Sequence, residues 1–179
     1  MLPTINASLT NSQQKGDTIY INKYSDFGLN DIVVADVGWH TDYIIKRITA
    51  TPGDRLQIKD HTTHYGVYVN DKLLYERRLD ISDVDAKAKI VSYYTKYEAF
   101  INNPLNSDYV YAINSEKYIV MPEGEYFLMG DNWGFTTDSM EHGPVKANLI
   151  VGKVDAILPQ SHINFFTPTW FMLKLIFSN

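Results

Sequence analysis

Lys46 stands in the run Ile44-Ile45-Lys46-Arg47-Ile48-Thr49-Ala50, whose β-branched content predicts a strand. Strand side chains alternate between faces, which puts Ile44, Lys46, Ile48 and Ala50 on one face and Tyr43, Ile45, Arg47 and Thr49 on the other. A single lysine thus interrupts an apolar row. An amine held there loses hydration, which disfavours the ammonium form and lowers its pKa. A neutral amine can serve as a general base near neutral pH. The same pattern describes a lysine at a sheet edge whose stem packs while its ammonium reaches water, and both readings stand on these residues alone.

A second group lies in Gly130-Asp131-Asn132-Trp133-Gly134-Phe135-Thr136-Thr137-Asp138-Ser139. Gly, Asp, Asn and Thr form turns by hydrogen-bonding their own backbone, so a plain connecting loop explains the composition. A loop delivering hydroxyls and a carboxylate explains it equally: Thr136 and Ser139 can orient a neutral amine, and Asp138 can pair with a cation. Other chemistries are excluded. There is no Cys for a thiol nucleophile, a thiolate zinc site or a disulfide. His61 and His64 sit in a turn with only Asp60 nearby, which argues against a metal site. The sequence has no phosphate-binding Gly loop and no Gly-x-Ser-x-Gly elbow.

These groups need a scaffold. The chain has 179 residues, enough for one domain or one domain with a large insertion. Short β-rich segments are expected at 18–22, 31–36, 43–49, 55–59 and 66–69, with turns at Pro52-Gly53-Asp54 and Asn70-Asp71. Strands return at 109–113, 117–120, 125–129 and 149–158. Between them, Ile90, Val91, Tyr94, Tyr97 and Ile101 recur at helical spacing, with Ser82 as the expected cap and Asn102-Asn103-Pro104 as the stop. The fold expected is mainly β: antiparallel sheet at 1–59 and 117–179, with 60–116 inserted as a small cap carrying one helix. Residues 6–15 are polar and suggest a loop.

A net charge of −5 excludes a phosphate-tracking nucleic-acid groove as the main activity. No run of 18 uncharged apolar residues is present, and the N-terminus lacks the pattern of a secretory leader. The stretch 163–177, rich in Phe with Trp170, is too short to span a bilayer; it either packs on the core or lies at a membrane interface.

Taken in order, the segments resemble the type I signal peptidases, membrane-bound Ser/Lys proteases that cleave signal peptides from exported proteins. Met1-Leu2-Pro3-Thr4-Ile5 resembles the Ser-Met-x-Pro-Thr-Leu box without its serine, and Gly16-Asp17-Thr18-Ile19 the Gly-Asp segment that follows. The run from Asp31 to Val34 resembles the next strand. Residues Ile45 to Asp54 resemble the Lys-Arg-Val-x-Gly-x-Pro-Gly-Asp box. The run from Pro122 through Gly130-Asp131-Asn132 to Thr136, Asp138, Ser139 and Gly143 resembles the Gly-Asp-Asn…Ser-x-Asp-Ser-Arg…Gly box.

The resemblance implies that Lys46 is the general base, that Thr136 falls on the serine bonded to that lysine, and that Asp138 is the carboxylate of the same box. It marks Met1, Pro3, Thr4, Gly130, Asp131, Asn132 and Ser139 as motif positions. Ile32, Val34, Ile44 and Ile48 are expected as walls of the substrate site. No cofactor and no metal are implied. The partners implied are signal peptides of exported preproteins and the membrane surface, at the extracytoplasmic face. The resemblance places the nucleophilic serine directly before Met1, with a membrane anchor ahead of it, so the sequence as given is expected to lack both. Trp133 and Met140 stand where the family usually has Arg, which removes the usual Asp–Arg pair around Asp138. These departures admit a second expectation: a non-catalytic relative acting in Gram-positive pilus assembly, with pilin or sortase as partner.

Overall fold

The computed structural model describes residues 17–79 and 82–158. Strands β1 (Thr18–Asn22), β2 (Ile32–Ala35), β3 (Ile44–Ala50), β4 (Arg55–Asp60), β5 (His64–Val69) and β6 (Lys72–Arg78) precede helix α1 (Val84–Asn102). Then come β7 (Val110–Ile113), β8 (Glu116–Val120), β9 (Glu125–Met129), the single-turn helix α2 (Ser139–His142), β10 (Val145–Lys146) and β11 (Ile150–Leu158). The strands form a six-stranded sheet in the order β1-β11-β2-β3-β9-β10 and a five-stranded sheet in the order β6-β5-β4-β8-β7. Every strand pairing is antiparallel, as the turn-punctuated short strands predict.

Turn chemistry sets the hairpins. Asn70 and Asp71 adopt positive φ, 51° and 66°, and join β5 to β6. Asn114 and Ser115, at 50° and 70°, join β7 to β8 in the same way. A two-residue turn with both central residues at φ > 0 matches the right-handed twist of paired strands. Strand β6 was not among the expected strands, because its Leu73-Leu74-Tyr75-Glu76 stretch lacks clean alternation.

Each sheet builds a core. One contains Val33, Ala35, Val37, Ile44, Ile48, Leu128, Val145 and Ile150. The other joins the five-stranded sheet to α1 through Leu56, Ile58, Tyr65, Val67, Ile119, Tyr93, Tyr97 and Phe100, and includes Ala50, Phe127 and Met129 from the first sheet. The expected boundary at 59/60 therefore cuts through β4, and that at 116/117 through β8. Residues 60–116 share a sheet and a core with the flanking segments.

Helix α1 differs in detail from its expected form. Its cap is Asp83, whose carboxylate accepts from Ala86 N at 2.9 Å, and not Ser82. Its buried stripe is Tyr93, Tyr97 and Phe100, the i, i+4, i+7 set. Ile90, Tyr94 and Ile101 only flank that stripe, and Val91 is exposed. The large aromatics seat deepest because they bury the most apolar area against the β5 and β8 side chains. Met1, Pro3, Thr4, the loop at 6–15 and the aromatic stretch at 163–177 lie outside the described residues.

Candidate active site

Strand β3 carries Lys46 into the first sheet between β2 and β9. The register sets Val33 directly across from Lys46 and Ala35 across from Ile44. Directly opposed residues of antiparallel strands share a face, so the Lys46 amine rises from a surface of Val33, Ala35, Ile44 and Ile48, all four core residues. Ile32 and Val34 oppose Arg47 and Ile45, which puts them on the reverse face. The expected alternation fails once. A register shift between Ile48 and Ala50 moves Ala50 off the Lys46 face and into the other core with Phe127 and Met129. A bulge re-aims the strand in this way.

Lys46 is half-buried, and desolvation lowers its pKa from the ordinary value. Asp138, then Glu141 and Asp131, pull in the opposite direction without cancelling it. Among the described residues no hydrogen bond ties down its Nζ. Burial thus strips part of the hydration from the amine.

The Gly130–Ser139 segment is a hydrogen-bonded unit around Asp138, which is fully buried. Its Oδ2 accepts from Gly130 N at 2.8 Å and from the Thr136 hydroxyl at 3.0 Å. Its Oδ1 accepts from Met140 N at 3.0 Å, and the Tyr93 hydroxyl reaches both oxygens, at 3.1 and 2.9 Å. Burial pushes the Asp138 pKa up, while these donors hold it down. Asp138 also caps α2, in a reciprocal capping box with Glu141.

Gly130 has no room for a side chain. A Cβ there would lie 2.0 Å from Thr136 Oγ1. Asp131 is gripped by Arg47 of β3, Nε to Oδ1 at 2.9 Å and a terminal nitrogen to Oδ2 at 2.8 Å. Asn132 Oδ1 accepts from Gly134 N at 3.2 Å, closing the turn. Ser139 does not join the Thr136–Asp138 contact: its buried Oγ accepts from Leu128 N at 3.0 Å and fastens α2 to β9.

Thr136 and Asp138 are bonded within one segment, and the Asp138 charge acts on Lys46 of β3. Tyr93 was not anticipated from sequence. The available signal was the i, i+4, i+7 aromatic series, which competes with the flanking Ile90/Tyr94/Ile101 series. Trp133 and Met140, at the positions where the resemblance expects Arg, are buried apolar residues. Trp133 stacks on Tyr93 with ring centroids 4.6 Å apart.

Comparisons with known proteins identify relatives of the chain. A family model described as signal peptidase, peptidase S26, matches residues 3–158. A signal peptidase I of Bacillus caldolyticus is 31% identical over 160 residues, covering 87% of this chain and 72% of that protein. A signal peptidase I of Bacillus licheniformis is 28% identical, over 69% of this chain and 56% of that protein. A signal peptidase IB of Staphylococcus aureus is 27% identical over 82% of this chain and 71% of its own length. A crystal structure of a signal peptidase I from Enterococcus faecalis aligns with a TM-score of 0.45 at 21% identity, covering 73% of this chain and 97% of that one. The matched span holds the strand of Lys46, the loop of Asp138 and both sheets that support them, and the chain belongs to the signal peptidase S26 family.

Proposed function

We propose that this protein is a membrane-associated serine endopeptidase that removes signal peptides from exported preproteins, with Lys46 as its general base. The observation that carries this reading is the Lys46 amine: it rises from an apolar face, its pKa is lowered by burial, and no described residue holds it in an ion pair. A fully hydrated lysine is protonated and inert as a base; desolvation raises the share of the neutral amine that can take a proton.

The nucleophile is the hydroxyl of the serine that the family pattern places ahead of Met1. Neutral Lys46 takes its proton as the serine oxygen attacks the scissile carbonyl. The resulting ammonium returns that proton to the leaving amine. Lys46, neutral again, then deprotonates the water that hydrolyses the acyl-enzyme. Thr136 gives its own proton to Asp138, so its oxygen keeps lone pairs available to an N–H donor such as the Lys46 amine. The signal peptide's small residues lie alongside the Lys46 amine. Ile44 and Ile48, buried in the core beneath it, and Ile32 and Val34 on the reverse face support the strand pair.

The experiment is cleavage of a signal-peptide substrate by the full-length membrane protein, wild type against Lys46→Ala. Loss of about a thousandfold or more in kcat is expected for removal of the base. Equal activity in the two overturns Lys46. A folded wild type that carries the serine yet never cleaves points to the non-catalytic reading, with pilin or sortase as partner; the desolvated amine favours the protease.

A further inference from the structure

Asp138 takes hydrogen bonds from four groups, and three belong to its own loop: Gly130 N, the Thr136 hydroxyl and Met140 N. The fourth, Tyr93, is 45 positions away in sequence and comes from α1. Its hydroxyl oxygen lies 3.1 and 2.9 Å from the two carboxylate oxygens, so it alone of the four reaches both. We propose that Tyr93 is the positioning residue of this site, holding the Asp138 carboxylate in the orientation from which it acts on Thr136 and Lys46. This rests on Lys46 being the base.

Three observations support it. The Tyr93 ring is immobilised: it is 1% exposed and stacks on Trp133. Its hydroxyl is a permanent donor, because burial and the neighbouring Asp138 push its pKa well above the ordinary tyrosine value. It is also neutral, where an arginine at 133 or 140 would bring a cation. A neutral donor orients the carboxylate but leaves its charge acting on Lys46. The other acids facing Lys46 have their own partners: Glu141 pairs with Lys96 of α1, and Asp131 with Arg47 of β3.

Tyr93→Phe keeps the ring and its stacking and removes only the donor. With that dipole gone, the negative potential of Asp138 at Nζ strengthens. The Lys46 titration, followed by NMR at its Cε, should move up by about half a unit. The acidic limb of the cleavage profile should move with it, with kcat at neutral pH down about threefold and KM little changed. Tyr97→Phe, one turn along the same helix, should leave the Lys46 titration where it was. An unchanged titration in folded Tyr93→Phe overturns the proposal. The NMR readout needs no activity, so a wild type that fails to cleave refutes the base while the titration still decides Tyr93. If Tyr93→Phe does not fold, the unmodified chain decides: a slowly exchanging Tyr93 hydroxyl proton coupled to the Asp138 carboxyl carbon supports the bond, and its absence overturns it.

Discussion

Arg47 and Asp131 form a two-pronged contact, with guanidinium nitrogens 2.9 and 2.8 Å from the two carboxylate oxygens, that joins β3 to the loop bearing Thr136 and Asp138. The neighbouring residue on β3 is Lys46, so this pair fixes that lysine's strand relative to the loop. A third bond, from Arg47 to Asn30 O at 2.9 Å, holds the guanidinium against the β1–β2 connection. Arg47→Lys keeps the charge but cannot reproduce the fork. It should cost about 1–3 kcal/mol by urea denaturation, the range for a charged buried hydrogen bond. Cleavage should fall about tenfold or more through misplacement of the loop. Unchanged stability in the variant would show that the pair does not tie the two segments together.

Lys46 should leave a signature in the pH dependence of stability. Its folded pKa lies below the ordinary 10.5. Between those two values the unfolded chain holds a proton that the folded chain has released, so stability rises as pH climbs through that window. Below it both states are protonated, and the folded state bears the cost of a desolvated ammonium. Lys46→Met should remove this rise and be relatively more stable at the low end. Chemical denaturation of both proteins at several pH values across the window measures it; parallel curves would mean that the amine is not desolvated.

Gly130 tests the packing of the Asp138 unit. In Gly130→Ala the new methyl would meet Thr136 Oγ1 at 2.0 Å and Cβ at 2.5 Å, so Thr136 must move and its bond to Asp138 must break or tilt. Overpacking of this kind costs about 1–3 kcal/mol. The expected result is a lower melting temperature together with a loss of cleavage larger than the stability change explains. Wild-type values for both would mean that Thr136 can shift freely.

Much of the architecture was legible in residue order. β1 and β9 lie where their β-rich runs predict, and the positive-φ turn at Asn70-Asp71 follows from residue types that tolerate that backbone. Ala50 was misassigned because alternation presumes an uninterrupted ladder, and a bulge depends on the partner strand. The α1 stripe was offset because periodicity identifies an amphipathic helix but does not say which of two adjacent rows meets the sheet. Ser139 looked like a candidate to orient the amine and proved to be an anchor for Leu128 N, a role set by a neighbour that comes close only in space.

The sequence alone pointed to the family and to its candidate groups: one lysine amid apolar strand residues, a hydroxyl and carboxylate in one Gly-rich loop, and boxes in the order of the signal peptidases. Local patterns suffice for this because strand alternation and turn formation are short-range. The tertiary structure decided how the actors are wired. It set Val33 opposite Lys46, gave Arg47 to Asp131, and brought Tyr93 from α1 to Asp138, whose usual family arginine this sequence lacks. Those pairings join residues 45 to 84 positions apart in the case of the two side-chain contacts. They follow from burial, since a carboxylate removed from water must find donors wherever the packed chain supplies them.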